Sequence, residues 1–122
     1  MATLGVIFSE FSGVIPDIVF ISNERREQIA SAERIMGAPD LIIEIVSPGS
    51  ENERRDRVAK RQLYGKYGVK EYWVVDPQQR TIEAYARVGR NLKLQTVLQE
   101  QDELTTSLLP GFSCKIADIF RF

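Results

Sequence analysis

The sequence predicts a single mixed α/β domain, residues 1–122, in which a charged helix packs on a mixed sheet and a β-meander follows. Three observations support this prediction. A strand-like apolar segment at 40–47 follows Pro39, a charged helix follows Pro48, and β-branched segments separated by tight turns fill 70–98. Strands and helices that alternate and then give way to hairpin-connected strands are typical of a mixed α/β fold. The length of 122 residues fits one domain of this kind.

The first part of the chain is predicted to form two strands and a short helix. β-branched and aromatic residues punctuated by Gly13 and Pro16 indicate the strands, and Ser22-Asn23 can cap the helix. A loop closed by Gly37 and Pro39 then leads to the next strand. The predicted ranges are strands at 3–8 and 14–21 with a turn near 12–13, a helix at 24–30 and a loop at 31–39.

The rest of the chain is predicted to form a buried strand, a helix and the meander. The strand at 40–47 is apolar on both faces except at Glu44, which is typical of a strand inside an α/β sheet. Ser50 and Glu53 form a capping-box pattern at the start of a helix that ends at Gly65 or Gly68. The predicted ranges are a helix at 51–64, strands at 70–76, 81–88 and 92–98, and a closing amphipathic segment at 115–122.

Composition excludes several classes of function. The chain contains no histidine and a single cysteine, Cys114, so it has neither a histidine-based catalytic triad nor a histidine or cysteine-cluster zinc site of its own. Its net charge of −1 lacks the strong basic excess of a nucleic-acid coat protein. No stretch approaches the ~20 apolar residues of a membrane span, and the N-terminus does not resemble a signal peptide. We therefore expect a cytoplasmic protein with no disulfide and no membrane contact.

Glu44 is the most informative residue, because it lies in the middle of an otherwise apolar strand. A buried carboxylate is costly unless a metal ion or a cationic side chain neutralises it. Asp17 and Asp40 also begin strands, each directly after a proline, and the two-residue period puts Asp40 and Glu44 on one face. With carboxylates, carbonyls and water as ligands, the metal would be Mg²⁺ or Mn²⁺. Such an ion can activate water against a phosphodiester, whereas the structural alternative is an ion pair with the next helix.

The helix after Pro48 supplies the positive charge. Segment 51–70 carries seven basic and three acidic side chains, a net charge of +4 in a chain of −1. Asp56, Lys60 and Tyr64 are spaced four residues apart and share one stripe of this helix. A lysine here can stabilise a phosphate beside a metal or contact backbone phosphates. The alternative is an ordinary solvated helix face with i,i+4 charge pairs.

A set of short motifs runs along most of the chain and is most specific over residues 38–77. The motifs are Pro16-Asp17, Ala38-Pro39-Asp40-Leu41-Ile42-Ile43-Glu44-Ile45-Val46-Ser47-Pro48, the helical Asp56, Lys60 and Tyr64, Gly68-Val69-Lys70-Glu71-Tyr72-Trp73-Val74-Val75-Asp76-Pro77, and Leu109-Pro110-Gly111-Phe112. In these motifs the chain resembles the Uma-type endonuclease family, a branch of the PD-(D/E)XK restriction-endonuclease-like superfamily. The resemblance implies a restriction-endonuclease-like core and an endodeoxyribonuclease that acts on DNA with Mg²⁺ or Mn²⁺.

The resemblance also implies an active site, because the superfamily uses an Asp on one strand and an acid two residues before a Lys on the next. Asp17 resembles the first acid and Glu44 the second, so both are expected to hold the metal. Val46 stands at the usual Lys position, and Lys60 on the following helix resembles a lysine that has moved there. Asp40, about 13 Å from Glu44 along the strand, is expected only to begin the strand. The residues expected to contact DNA phosphates are Arg54, Arg57, Lys60 and Arg61.

The N-terminus departs from the family pattern. Family members carry a portion ahead of the first strand, with a helix that flanks the site, and this chain starts within what resembles the second half of that portion. We therefore expect a missing helical layer over the sheet, and self-association into a homodimer or higher homo-oligomer that covers the exposed apolar surface. Two alternatives to a nuclease stay open. One is a catalytically inactive nuclease-fold module for binding or assembly, and the other is a small α/β domain in which Glu44 and Lys60 form a structural pair.

Overall fold

The largest element of the structure is a five-stranded mixed sheet with one long helix packed against it. The structure, a computed structural model, describes residues 5–9, 12–14, 17–29, 34–46 and 51–121. Within these ranges the strands are β1 (Gly5–Ser9), β2 (Ser12–Val14), β3 (Ile18–Phe20), β4 (Arg34–Met36), β5 (Leu41–Ile45), β6 (Glu71–Asp76), β7 (Thr81–Val88), β8 (Asn91–Leu98), β9 (Glu103–Leu104) and β10 (Cys114–Lys115). The helices are α1 (Asn23–Ile29), α2 (Glu51–Tyr67) and α3 (Ile116–Ile119).

The large sheet has the strand order β3-β5-β6-β7-β8. β5 and β6 run parallel, and the other neighbours run antiparallel. Parallel neighbours need a crossover connection, which α2 provides, whereas the antiparallel β6, β7 and β8 follow one another through tight turns. This topology confirms the predicted mixed sheet with its C-terminal meander.

A second sheet, of order β2-β1-β4, differs from the prediction in two places. The single strand predicted at 14–21 is wrong, because Val14 pairs with β1 whereas Ile18 pairs with β5 in the large sheet. Pro16, which itself lies outside the described residues, separates the two parts and has no N–H to donate to a strand ladder. The loop predicted at 31–39 contains β4, which pairs parallel with β1. Three residues are too few to show a strand period in the sequence.

α2 lies very close to the sheet at Gly65. A Cβ added there would lie 2.9 Å from the backbone nitrogen of Leu92, so glycine is required for this approach to β8. The helix continues beyond the predicted Tyr64 to Tyr67. It ends at Gly68, whose φ of 101° is left-handed and whose N–H donates to the carbonyl of Tyr64 at 3.1 Å. Of the two predicted stops, Gly68 is therefore the one that ends the helix.

Two apolar clusters lie on the two faces of the large sheet. The cluster under α2 contains Ala38, Ile42, Val46, Tyr64, Val69, Tyr72, Val74, Tyr85 and Leu92. The cluster on the opposite face contains Leu41, Trp73, Ile82, Leu104, Ile116 and Phe120. Successive residues of β5 and β6 alternate between the two clusters, as the pleat of a strand requires. Within the described residues, no helix is both long and apolar enough to cross a membrane.

Candidate functional site

A row of side chains crosses the large sheet on the face that α2 covers. Glu44 on β5 pairs with Val74 on β6, and Val74 pairs with Glu83 on β7. On the other side of β5, the antiparallel register with β3, continued by one residue, places Asp17 opposite Glu44. Directly opposed residues share a face and have Cβ atoms about 4.5–5.5 Å apart. The continued register therefore places Asp17, the residue before β3, next to Glu44 on β5 at the level of the backbone.

The carboxylate of Glu44 is buried and is held by two tyrosines and a lysine. The residue is 6% exposed. The Tyr64 hydroxyl donates to Oε1 at 2.8 Å, the Tyr72 hydroxyl donates to Oε2 at 2.6 Å, and Lys60 Nζ lies 3.7 Å from Oε1. Hydrogen bonds to an ionised group are short and strong, so they offset the cost of burying this charge. An ionised carboxylate has about four acceptor positions, and the two tyrosines do not exhaust them.

Tyr72 is fixed as a hydrogen-bond donor to Glu44. Burial raises the pKa of its hydroxyl far above the usual value, and the negative charge of Glu44 and the hydrogen bond to it raise that pKa further. The hydroxyl therefore keeps its proton throughout the physiological pH range. The Tyr72 ring packs edge-on against Tyr64 and tilted against Tyr85, with ring centroids 5.3 Å and 5.7 Å away. These ring contacts restrict the direction from which the hydroxyl meets the carboxylate.

Asp17 contacts β5 through its side chain. Its Oδ2 accepts the backbone N–H of Ile45 at 2.8 Å, and Ile45 follows Glu44 in the chain. The residue itself is exposed. This hydrogen bond joins the residue before β3 to the end of β5, and it leaves Asp17 exposed to solvent.

Lys60 comes to Glu44 from α2. Its side chain is 33% exposed, so the ammonium lies at the solvent rim and beside the acid at the same time. Val46, at the position where the superfamily carries a lysine, is buried under α2 in the same cluster as Tyr64. A lysine at position 46 would have to bury its charge among apolar side chains. The helix therefore supplies the cation that meets Glu44.

Basic residues of α2 border a cavity beside these acids. The cavity has a volume of about 220 Å³ and is lined by Arg57 and Arg61 from α2 and by Glu83 and Tyr85 from β7, among others. The Arg61 guanidinium lies 5.0 Å from the centroid of the Tyr85 ring, and the Tyr85 hydroxyl donates to Glu83 Oε1 at 2.8 Å. Of the four residues expected to contact DNA, three are described: Arg57, Lys60 and Arg61. The side chain of Arg54, like Ser50 of the capping-box pattern, lies outside the described part of the structure.

Asp40 has partners within the fold. It is 2% exposed, its Oδ2 accepts the backbone N–H of Ser22 at 2.7 Å, and its Oδ1 lies 3.1 Å from Lys70 Nζ. Burial alone would raise the pKa of Asp40, but the hydrogen bond from Ser22 and the ammonium of Lys70 outweigh burial and hold that pKa below its usual value. Asp40 therefore joins the segment before α1 to the start of β6, which agrees with its expected role as the residue that begins the strand.

Sequence reasoning assigned no role to Tyr64 as a partner of Glu44 or to Glu83. Tyr64 follows Lys60 by four residues, so one helix face carries both groups that contact Glu44. Glu83 and Tyr85 are two residues apart on β7 and therefore share a face. Both spacings are visible in the sequence, but the strand register is needed to show that this face of β7 meets α2.

The two acids fit a hard divalent cation by donor type. Mg²⁺ is usually bound by one or two carboxylates, with water and substrate phosphate completing its coordination. Asp17 and Glu44 provide two such carboxylates. Among the residues that the structure describes, no group of three or more acidic, histidine or cysteine side chains can hold a metal. By donor type alone, the two carboxylates suit a hard divalent cation.

Comparison with known proteins agrees with this architecture, which is that of a nuclease-like mixed α/β protein. The profile of the Uma2 family, described as "Putative restriction endonuclease", matches residues 1–117, and the chain belongs to this family. A crystal structure of a putative nuclease belonging to DUF820 from Anabaena variabilis ATCC 29413 is similar with a TM-score of 0.70 and 22% identity, over 98% of this chain and 66% of that chain. The chain thus spans about two-thirds of the length of that neighbour, and at this identity the likeness shows the fold alone. No protein of curated function matches the chain.

Proposed function

We propose that this protein is a divalent-metal-dependent endodeoxyribonuclease, which hydrolyses phosphodiester bonds of DNA. The observation that carries the proposal is the meeting of three residues. Asp17, the residue before β3, accepts the backbone N–H of Ile45 next to Glu44 on β5, and the Lys60 ammonium lies 3.7 Å from Glu44. Membership of a family described as "Putative restriction endonuclease" supports the activity. The choice of DNA as substrate rests on that family and on the basic side of α2.

Asp17 and Glu44 are the residues that would hold the Mg²⁺ or Mn²⁺ ion. When bound, such an ion lowers the pKa of a water molecule and neutralises charge on the phosphodiester. Glu44 is kept in one orientation by the hydroxyls of Tyr64 and Tyr72. Carboxylates that bind metals are commonly held by hydrogen bonds of this kind, which fix the direction of their free oxygen lone pairs.

Lys60 is the residue that we assign to the reacting phosphate. From the solvent rim beside Glu44, its ammonium can donate a hydrogen bond to a non-bridging oxygen of a phosphate bound at the two acids. Negative charge builds on that oxygen as water adds and phosphorus becomes five-coordinate. A positioned cation stabilises this charge more in the transition state than in the ground state, which is the condition for catalysis. Arg57 and Arg61 extend the positive surface along α2 for the neighbouring phosphates.

A catalytically inactive nuclease-fold module, for binding or assembly, is the second candidate. The contacts of Glu44 favour it, because two tyrosine hydroxyls and an ammonium stabilise the buried carboxylate without a metal. Lys60 would then be a structural partner of Glu44. The two candidates differ in cleavage of DNA and in metal binding, since an inactive module does not cleave and need not bind Mn²⁺ at Asp17 and Glu44.

Cleavage of supercoiled plasmid with Mg²⁺ and with Mn²⁺ tests the proposed activity. We expect the wild type to nick the plasmid only with a divalent ion, and Lys60→Ala to lower the rate by about 10²–10³-fold, as the loss of one transition-state donor does. Lys66→Ala is the matched control, because it removes an exposed lysine of the same helix and should cleave at the wild-type rate. A folded wild type that neither cleaves nor binds Mn²⁺ would contradict the proposal and favour the inactive module.

Urea unfolding separates a catalytic lysine from a structural one. Glu44→Ala leaves two buried tyrosine hydroxyls without their acceptor, so it should lower the free energy of unfolding by about 2–5 kcal/mol. Lys60→Ala removes a partner of Glu44 at the solvent rim, so it should lower the free energy of unfolding by no more than about 1 kcal/mol. A Lys60→Ala protein that keeps its stability but loses cleavage supports the catalytic role. Loss of stability as large as that of Glu44→Ala would show that the lysine is structural.

A further inference from the structure

The cavity between α2 and the large sheet has the composition of a pocket for one nucleobase. Its volume of about 220 Å³ is below the ~300–1,000 Å³ of pockets for drug-sized ligands, so it suits a single ring system. The lining residues that matter here are Arg57, Val58, Arg61, Tyr72, Glu83 and Tyr85. We propose that this cavity binds one unpaired base of the DNA substrate, which makes single-stranded, bulged or otherwise distorted DNA the preferred substrate.

The polar groups of the cavity favour a base over a phosphate. Glu83 contributes a carboxylate to the lining, and a carboxylate repels a phosphate but accepts a hydrogen bond from the exocyclic amino group of a base such as cytosine. Arg57 and Arg61 also line the cavity, and a guanidinium can donate to a ring nitrogen or carbonyl oxygen of a base.

The remaining walls suit the flat face of a base. Tyr72 and Tyr85 are buried and pack against each other, and the Arg61 guanidinium lies over the Tyr85 ring, so the guanidinium plane is the wall on which a base would stack. Bases stack on aromatic rings and guanidinium planes with little regard to sequence. A base within a duplex is already stacked between its neighbours and cannot reach a cavity under a helix. The occupant must therefore be unpaired or turned out of the duplex.

The cavity lies within the reach of one nucleotide from the proposed active site. Glu44 and Glu83 are two strands apart in the same row of the sheet, about 10 Å at ordinary strand spacing. Tyr72 joins the two sites, since its hydroxyl donates to Glu44 and its ring lines the cavity. A phosphate at the acids would thus place its own base, or the next one, at the cavity. The inference deepens the proposed function and rests on it for the identity of the ligand.

Binding of two DNA probes in EDTA tests the cavity in the absence of cleavage. The probes are fluorescent hairpins with the same backbone, one with a single bulged cytosine and the other with an abasic bulge. We expect the wild type to bind the cytosine bulge about 5- to 100-fold more tightly, the range that one stacked base provides. Val58→Trp, at a 46% exposed position of the lining, fills the cavity and should abolish this difference. Val88→Trp, at a 50% exposed position at the end of β7, is the matched control and should keep it.

Glu83→Gln is a second variant that leaves the size of the cavity unchanged. It should weaken binding of the cytosine bulge and leave binding of the abasic bulge unchanged, whereas Glu27→Gln, an exposed acid on α1, should change neither. Equal affinity of the wild type for the two probes overturns the inference, even in a protein that cleaves plasmid. A preference for cytosine that depends on Glu83, in a protein that does not cleave, supports the cavity and contradicts the proposed nuclease.

Discussion

Two buried acids of the large sheet are stabilised by different kinds of partner. Asp40 is bound by a backbone N–H and paired with Lys70, so its charge is neutralised inside the fold. Glu44 is bound by neutral tyrosine hydroxyls, and its cation, Lys60, lies farther away at the solvent rim. Neutral donors orient a carboxylate without cancelling its charge. Glu44 can therefore still attract a metal ion, which is why we assign it, and not Asp40, to the site.

The partners of Asp40 predict how stability depends on pH. Its pKa in the folded protein is lower than the ordinary 3.8, so the unfolded state binds the proton more readily. Its contribution to stability is therefore complete above the unfolded pKa and is lost as pH falls through the folded pKa. Asp40→Asn should lower the free energy of unfolding by about 1–3 kcal/mol at neutral pH, and by less near pH 3. Urea unfolding at both pH values checks this.

Glu27→Gln, at an exposed acid on α1, provides the control for the Asp40 experiment. The loss of stability that this control substitution causes at neutral pH should be small. A loss in Asp40→Asn that did not change with pH would show that its carboxyl has the same pKa in the folded and unfolded states.

Single residues of the candidate site differ in how well the sequence identifies them. Glu44 is identifiable because an acid interrupts an apolar strand, and Asp17 and Lys60 because they match family motifs. Glu83 cannot be identified from the sequence, because the mixed polarity of β7 does not show which face of the strand meets a helix. That information lies in the register of β6 and β7, which depends on contacts distant in sequence.

Among the elements, α2 makes the largest contribution to the site, because it carries Lys60, Tyr64 and both cavity arginines. Its distance from the sheet depends on Gly65, where a Cβ would lie 2.9 Å from the backbone of β8. Helix propensity alone predicts that Gly65→Ala stabilises the protein by about 1 kcal/mol. We expect the opposite sign, a loss of about 1–3 kcal/mol, because the helix must move away from the sheet.

Thermal unfolding shows whether Gly65→Ala raises or lowers the stability of the protein. The control is Ala59→Gly, at an exposed position of the same helix. The control changes helix propensity without changing a packing contact, so it should lower the free energy of unfolding by about 1 kcal/mol. If Gly65→Ala were more stable than the wild type, α2 would not be held at the distance that brings Lys60 to Glu44.

Long elements follow from the sequence more closely than short ones do. The predictions for α2 and for the strands of the meander agree with the structure to within a few residues, because each shows a sustained pattern bounded by glycine or proline. The sequence does not predict β4, nor that the strand expected at 14–21 is divided in two. Each of these segments is short, and its conformation depends on a partner strand elsewhere in the chain. Short strands of this kind are determined by tertiary pairing rather than by local preference.

Charge is distributed unevenly over the whole molecule. Segment 51–70 has a net charge of +4 and the whole chain has a net charge of −1, so the rest of the chain has a net charge of −5. For the proposed nuclease, we therefore expect weak attraction of DNA from a distance, and binding that depends on contacts made within the Debye length of about 10 Å around α2. The expected homo-oligomer would place more than one such helix on the DNA. It stays a prediction, which light scattering at several protein concentrations tests.

The salt dependence of DNA binding tests whether α2 is the contact surface. Each phosphate neutralised by the protein contributes about −0.9 to the slope of log K against log salt concentration. Arg57→Ala and Arg61→Ala should therefore each make the slope about one unit less steep, measured by anisotropy of a labelled duplex between about 50 and 200 mM salt. Lys93→Ala is the control, because Lys93 pairs with Ala86 and lies on the face of the sheet opposite to α2. An equal change for Lys93→Ala would mean that DNA binds to the acidic remainder of the molecule as readily as to α2, and the proposed orientation of the substrate at Glu44 would be wrong.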